Sequence, residues 1–179
     1  KTDGSMWIWG GNIVWSLSSP YFQGRSSPCQ VPGTSWARMN SSPGRYFAAR
    51  TDGTMWYAGS KEYGIQGINE DAPGQYESPI QVGGPTSTNW STSMLISEGQ
   101  GGVSAMALKT NGELWTWGTN YRGVLGHNEA GTATPSPGSS QEQDSKSSPT
   151  QLPGTWGGSD SEKIYIADSY NSFFALKKQ

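Results

Sequence analysis

The feature that most constrains the fold is a repeat built around a tight turn. Residues 1–10, 50–59 and 109–118 match closely, and each carries an Asp-Gly or Asn-Gly pair just before a stretch with Met or Leu followed by Trp. Such a pair between apolar stretches predicts a β-hairpin, with a type I′ turn that needs positive φ at both central residues. The interval of roughly 50 to 60 residues is typical of repeat architectures.

Two further motifs recur in the same cyclic order as the turns. A Ser-Pro-x-Gln motif lies ahead of a Trp at residues 27–33, 78–84 and 148–154, and an apolar stretch with a central Ala occupies residues 46–49, 105–108 and 173–176. The chain also places nine Trp, eight Tyr and four Phe among 25 Gly and 11 Pro. So many large rings among turn-forming residues argue against disorder and favour short strands with tight loops. We therefore predict an all-β fold with very little helix.

The strand after each turn is apolar on both faces. Successive side chains of a strand point to opposite faces, so Met6 and Ile8 share one face while Trp7 and Trp9 share the other. A sheet with two apolar faces is expected when it is sandwiched between neighbouring sheets, as a β-propeller blade is. Residues 59–67 and 118–126 share a glycine spacing, which we interpret as turns of the repeat rather than a phosphate-binding loop.

Residues 107–126 resemble the core of a repeat from the regulator-of-chromosome-condensation family. The resemblance implies β-propeller blades of four antiparallel strands, usually seven to a ring, and covers nearly the whole chain. The Ser-Pro-x-Gln motif with its following Trp is most similar to the bacterial and bacteriophage versions, including structural proteins of marine phages. It is less similar to the eukaryotic exchange factor for a small nuclear GTPase or to the plant ultraviolet-B receptor.

The order of the motifs predicts how the blades are divided. The sequence starts at a turn and stops before the next expected one, which predicts two complete blades and a half-blade at each terminus within one repeat domain, residues 1–179. Residues 131–147 are predicted to form an extended loop rich in Ser, Gly and Pro. A ring of three blades would be below the usual range of about four to eight. We expect the half-blades to pair with further sequence or with neighbouring chains.

Charge and composition argue against several partners. A net charge of −2 and a pI near 5.3 give no electrostatic footprint for nucleic acid. No apolar run approaches the roughly 20 residues that span a bilayer, and we expect no signal peptide. These features leave the location open between a virion or bacterial surface, which we favour, and the cytoplasm.

Residue types that carry chemistry are sparse in this sequence. The single cysteine, Cys29, occupies the variable position of the Ser-Pro-x-Gln motif and is interpreted as a strand residue; the single histidine, His127, is interpreted as a solvated loop residue. Paired acidic residues occur in three polar loops, where solvated charge is favoured over glycosidase or calcium chemistry. The three pairs are Glu70 with Asp71, Glu142 with Asp144, and Asp160 with Glu162. We expect no catalytic residue, no metal and no cofactor.

Tryptophans near loops are the candidate partner-facing residues: Trp15, Trp36, Trp90 and Trp156. Packing is the favoured interpretation even for these, because three of the four recur with the repeat, and it is stronger still for the tryptophans of the repeat strands, including Trp9. The sequence predicts a non-catalytic structural or protein-interaction module, possibly in a phage particle or a bacterial surface assembly. Its expected partners are proteins or copies of the same chain. A carbohydrate-binding propeller is the alternative, and nucleotide exchange on a small GTPase rests on family analogy alone.

Overall fold

The computed structural model describes residues 2–10, 25–70, 74–99, 102–129, 145–154, 156, 164–169 and 172–177. These residues form twelve β-strands and one short 3-10 turn, Glu62–Gly64, and contain no α-helix. The prediction of an all-β chain is confirmed. Within the described part of the chain, no helix is long and apolar enough to cross a membrane.

The strands form four antiparallel sheets in chain order. The N-terminal half-blade consists of β1 (Met6–Gly10) and β2 (Arg25–Val31). Blade 1 consists of β3 (Trp36–Ser42), β4 (Arg45–Arg50), β5 (Met55–Ser60) and β6 (Gln75–Gln81). Blade 2 consists of β7 (Trp90–Gly99), β8 (Gly102–Lys109), β9 (Leu114–Gly118) and β10 (Lys146–Gln151). The C-terminal half-blade consists of β11 (Ile164–Ser169) and β12 (Ser172–Lys177).

The division into two complete blades and two half-blades is confirmed, and the registers show which halves are present. In β1 and β2, Trp7 lies opposite Gln30, as Trp56 lies opposite Gln81 in the third and fourth strands of blade 1. The N-terminal half-blade therefore corresponds to the outer pair of strands. The C-terminal half-blade corresponds to the first and second strands, because β12 carries the apolar stretch that β4 and β8 carry.

The predicted turn type is wrong, and the reason is visible in the turn between β4 and β5. Gly53 has φ +79°, but Asp52 does not have positive φ, so the turn is not type I′. The Gly53 N–H donates to the Arg50 carbonyl at 3.1 Å, which describes a type I turn followed by a left-handed glycine. The Asp52 carboxylate accepts from the N–H and hydroxyl of Thr54 at 2.9 and 2.6 Å. These hydrogen bonds hold the pKa of Asp52 below its usual range.

A second hydrogen bond recurs after all three turns. The residue that follows the turn glycine accepts from the indole N–H of the Trp two positions later, on the same face of the strand. The pairs are Trp7 with Ser5 at 2.8 Å, Trp56 with Thr54 at 2.8 Å, and Trp115 with Glu113 at 3.2 Å. The indole N–H of each partly buried Trp thus has a hydrogen-bond acceptor two residues away in the same repeat segment.

Three apolar clusters hold neighbouring sheets together. The largest lies between blades 1 and 2 and contains Phe47, Tyr57 and Trp117. A second, with Met6 and Ile8, joins the N-terminal half-blade to blade 1, and a third joins blade 2 to the C-terminal half-blade. The first strands converge, since β7 contacts both β3 and β11. Each sheet is therefore stabilised by its immediate neighbours, as expected for a repeat architecture.

A backbone contact also links the turn of one blade to the start of the next. The Trp90 N–H donates to the Gly53 carbonyl at 2.9 Å, and the Trp36 N–H donates to the Gly4 carbonyl at 3.0 Å. A Cβ on Gly53 would lie 3.0 Å from the backbone nitrogen of Asn89. The turn glycine is therefore required for close approach between blades as well as for the turn itself.

The predicted extended loop, residues 131–147, is described only from residue 145. Strand β10 begins at Lys146, so Lys146 and Ser147 belong to a strand rather than to the loop. Residues 131–144 lie outside the described residues.

Candidate interaction surface

The structure places the four candidate partner-facing tryptophans in different surroundings. Trp15 lies outside the described residues. Trp36 and Trp90 are 8% and 3% exposed, so their rings pack inside the protein rather than on a loop surface. Trp156 is half-buried against the cluster that holds the C-terminal half-blade. Trp36 and Trp90 are therefore packing residues, which is the favoured interpretation, because each ring is buried at the position where a blade begins.

Trp36 and Trp90 each stack on a cation that the repeat places on the neighbouring strand. The Arg50 guanidinium lies 4.4 Å from the centroid of Trp36 and 4.5 Å from that of Trp56. At the equivalent position of blade 2, the Lys109 ammonium lies 5.1 Å from Trp90 and 4.3 Å from Trp115. We call this arrangement the cation sandwich. It uses three strands of one blade and fixes them to one another.

Replacing Arg50 with methionine should lower the free energy of unfolding by about 1–2 kcal/mol, because the side chain keeps its apolar stem but loses the charge between two rings. Arg50→Lys should cost less than about 0.5 kcal/mol, since Lys109 holds the same position in blade 2. Urea unfolding followed by Trp fluorescence measures both. Equal stability of Arg50→Met and the unmodified protein would show that the charge contributes nothing.

The exposed apolar surface lies elsewhere, on the two half-blades and the strand beside one of them. Trp9 at the end of β1 is 61% exposed, although its equivalent in blade 2, Trp117, is 1% exposed. The prediction that Trp9 packs like the other strand tryptophans is therefore wrong. Trp117 is covered by blade 1, whereas no described sheet lies against the same face of β1.

A cavity of about 630 Å³ adjoins Trp9. Strands β1, β2 and β3 line it with Met6, Trp7, Trp9, Pro28, Trp36 and Met39. Ser5 and Arg38 add polar groups to an otherwise apolar lining, and Met39 is 39% exposed there. A wide and mainly apolar cavity beside an edge of β1 that pairs with no described strand is suited to receive a protein segment.

The C-terminal half-blade presents the second apolar face. Phe174 and Leu176 on β12 are 57% and 61% exposed, and Tyr165 on β11 is 52% exposed. The counterparts of Phe174 and Leu176 in the complete blades are buried: Phe47 and Met106 correspond to Phe174, and Ala49 and Leu108 to Leu176. Phe174 and Leu176 thus have the repeat positions of buried residues, and no described sheet covers this face of β12.

The side chains that could carry chemistry are dispersed. Cys29 lies opposite Ile8 in β2, as expected of a strand residue, whereas His127 is half-buried, with Nε2 3.0 Å from the Thr116 hydroxyl oxygen. Burial and then the Lys146 charge hold the pKa of His127 below its ordinary value. Among the described residues, no group of three or more His, Cys, Asp and Glu could hold a metal ion.

Of the acidic pairs predicted to be solvated loop charge, only Glu70 falls in the described part of the chain. Its carboxylate accepts from the Tyr76 hydroxyl at 2.5 Å and lies 3.7 Å from the Lys61 ammonium. Burial, and then this hydrogen bond, raise the pKa of Tyr76 to about 12. Glu70 thus participates in a local surface network. The other five pair members, Asp71, Glu142, Asp144, Asp160 and Glu162, lie outside the described residues.

Comparison of the sequence with protein-family models finds no match, and no curated protein matches the chain. Comparison of the fold with solved structures does find matches. The crystal structure of Prp20p from Saccharomyces cerevisiae, described with its binding properties to Gsp1p and histones, has a TM-score of 0.64 at 13% identity. The match covers 97% of this chain and 39% of Prp20p.

Two further structures agree with this match. Yeast RCC1 (Prp20) bound to Kap60 has a TM-score of 0.64 at 12% identity, over 98% of this chain and 38% of that one. Human WBSCR16 has a TM-score of 0.60 at 16% identity, over 93% and 38%. This chain thus spans about two fifths of the length of the propellers that it matches. Its two blades and two half-blades have the fold of an RCC1-like β-propeller.

Proposed function

We propose that the chain is a non-catalytic protein-interaction module that contributes to a larger assembly, in a phage particle or on a bacterial surface. The observation that carries the proposal is the location of the exposed apolar side chains. Among the described residues, the large exposed ones lie on the half-blades or on the strand that faces the cavity beside them: Trp9, Met39, Tyr165, Phe174 and Leu176. Exposed apolar side chains that are concentrated on two-stranded half-blades favour contact with another protein surface.

The solved relatives of the fold support a protein partner. Prp20p is described with its binding to Gsp1p and histones, and yeast RCC1 is described bound to Kap60. Those partners belong to those proteins, and we carry over only the use of a propeller surface for protein contact. The assignment to a phage particle or bacterial surface is supported by the Ser-Pro-x-Gln repeat and its following Trp.

The proposal is tested by the retention of variants in the native assembly. Particles are purified from the source, imaged, and quantified for this chain by mass spectrometry. Leu176→Asp places a charge on an apolar face and should reduce retention about tenfold or more, whereas Ser78→Asp, at an exposed position on β6, should have no effect. Equal retention of both variants, or recovery of the chain only as a free protein, would contradict the proposed function.

A carbohydrate-binding module is the second candidate, and one observation favours it. Trp7 and Trp9 line a wide cavity, and indole rings stack on sugar faces. Because Trp36 and Trp90 are buried, the informative variant on a glycan array is Trp9→Ala. Binding that disappears in this variant would support a lectin, and an array without any binding would remove this candidate.

A further inference from the structure

We propose that the cavity between blades 1 and 2 binds a sugar residue that carries a carboxylate, such as a hexuronic acid. The volume of this cavity is about 320 Å³, at the lower end of the range for small-molecule sites, where a single sugar ring fits. Both complete blades form the cavity, and it shares no lining residue with the cavity beside Trp9. The inference therefore goes beyond the proposed protein contacts of the half-blades.

Three segments of the chain form the walls of the cavity. The loop after β5 contributes Asn69, and the segment between β6 and β7 contributes Ser87. Blade 2 contributes Lys109, Trp115 and Ser148. An amide and two hydroxyls can exchange hydrogen bonds with the hydroxyl groups of a sugar, and an indole can contact its apolar face. A few convergent polar groups beside apolar rings are the usual composition of a small-molecule site.

The charge of Lys109 is the reason for proposing a carboxylate on the ligand. Its ammonium lies 5.1 Å from the centroid of Trp90 and 4.3 Å from that of Trp115, and no described carboxylate forms an ion pair with it. Lys61, by contrast, lies 3.7 Å from the Glu70 carboxylate. An ammonium at a cavity wall without a carboxylate neighbour can form a charge-assisted hydrogen bond with an anionic group of a ligand.

The equivalent position of blade 1 shows how the cavity arises. Arg50 has the repeat position of Lys109, and a Cβ on the preceding Gly33 would lie 2.9 Å from the Arg50 Nη2. Gly84 is the counterpart of Gly33 in the Ser-Pro-x-Gln motif and lines the cavity, but a Cβ on Gly84 would have no atom within 4 Å. The shorter side chain of Lys109 therefore leaves open a space that the longer Arg50 side chain occupies in blade 1.

The segment that enters blade 2 is also longer than the one that enters blade 1. Trp90 follows the glycine of its Ser-Pro-x-Gln motif by six residues, whereas Trp36 follows its own by three. The longer segment contains Ser87, whose hydroxyl oxygen accepts from the Trp90 indole N–H at 3.0 Å and whose carbonyl accepts from the Gln81 amide at 3.1 Å. These hydrogen bonds fix Ser87 at the cavity wall. None of the described residues accepts from its O–H, which can therefore donate to a ligand.

Asn69 provides a variant with a matched control. Its backbone N–H donates to the Ser147 carbonyl at 2.8 Å, and its φ is +61°. Asn128 has the same place in the loop after β9, with φ +58°, but does not line the cavity. Because Asp adopts positive φ about as readily as Asn, Asn69→Asp adds a negative charge at the cavity wall and leaves the loop unchanged.

The site is tested by titrating the protein with D-glucuronate while the indole N–H signal of Trp115 is followed by NMR. A ligand of this size should bind with a dissociation constant on the order of 1 mM. D-glucuronamide has the same shape without the charge and should bind about tenfold more weakly. Asn69→Asp should weaken glucuronate binding about tenfold or more, whereas Asn128→Asp should change it less than about twofold.

Lys109→Arg is the second variant, and it separates the cavity from the charge. The variant keeps a cation beside the two rings but extends the side chain into the cavity, as the Arg50 guanidinium does in blade 1. Glucuronate binding should therefore fall about tenfold or more, although the net charge is unchanged. Because Arg50 holds the same repeat position, this variant is expected to fold normally.

Two results would overturn the proposal on the ligand side. One is equal binding of glucuronate and glucuronamide, and the other is the absence of a saturable shift at Trp115. Saturation by the peptide acetyl-Gly-Glu-Gly-amide without saturation by glucuronate would assign the cavity to an acidic side chain of a protein and would also overturn it. The proposed function is tested separately at Leu176, which does not line this cavity.

Discussion

Replacing Gly118 with alanine is expected to lower the free energy of unfolding by about 3–4 kcal/mol, which is a large fraction of the stability of a domain this size. Gly118 ends β9 with φ +92°, a backbone conformation that costs an L-residue about 1–2 kcal/mol. A Cβ there would lie 2.5 Å from the Val103 carbonyl oxygen and 3.0 Å from the Ser104 Cα. Because both obstacles are backbone atoms, strands β8 and β9 would have to separate.

The matched control is Gly84→Ala. Gly84 has φ +79°, but a Cβ at this position would have no atom within 4 Å, so only the backbone strain of about 1 kcal/mol remains. Urea unfolding of the two variants therefore separates the steric effect from the conformational one. If both variants lose a similar free energy of unfolding, the close approach of β8 and β9 is not the reason that Gly118 is required.

Much of the fold could be predicted from the sequence because the repeat carries its own local instructions. The turn residue pairs and the Trp two positions after a polar acceptor lie within a few residues of their partners. The Ser-Pro-x-Gln motif pairs with the preceding strand of the same blade, as Gln81 does with Trp56. The division into two blades and two half-blades follows from their order. The type I′ turn was mispredicted because the Asp52 carboxylate accepts a hydrogen bond from the Thr54 N–H. With this hydrogen bond the turn needs positive φ at Gly53 but not at Asp52.

The candidate surface was harder to predict, since it depends on which sheet covers which face. Trp9 and Trp117 occupy equivalent positions in matching segments, yet one is 61% exposed and the other 1% exposed. The difference arises from the presence of a preceding blade, which is a long-range property. The position of Trp9 in an N-terminal half-blade was the available signal. The cation sandwich had a similar signal in the recurrence of a basic residue before each turn, at Arg50 and Lys109.

Replacing Trp117 with alanine is expected to cost about 4 kcal/mol, comparable to other buried large-to-small substitutions. The Trp117 ring meets Phe47 of blade 1 edge-on at 5.5 Å between centroids and lies 6.0 Å from Trp90. Its indole N–H donates to the Ile65 carbonyl at 2.7 Å. This one side chain thus contacts β4 of blade 1, β7 of blade 2 and the backbone at Ile65, across the junction between the complete blades. Urea unfolding measures the loss of unfolding free energy.

Two further variants separate the contributions of the Trp117 ring. Trp117→Phe retains much of the apolar contact but removes the donor to Ile65, a fully buried residue, and should cost about 2 kcal/mol. Trp9→Ala should cost less than about 0.5 kcal/mol, because no described blade covers this ring. A loss of stability at Trp9 as large as the loss at Trp117 would mean that the Trp9 ring is already covered within one chain, and the two repeat positions would then be equivalent.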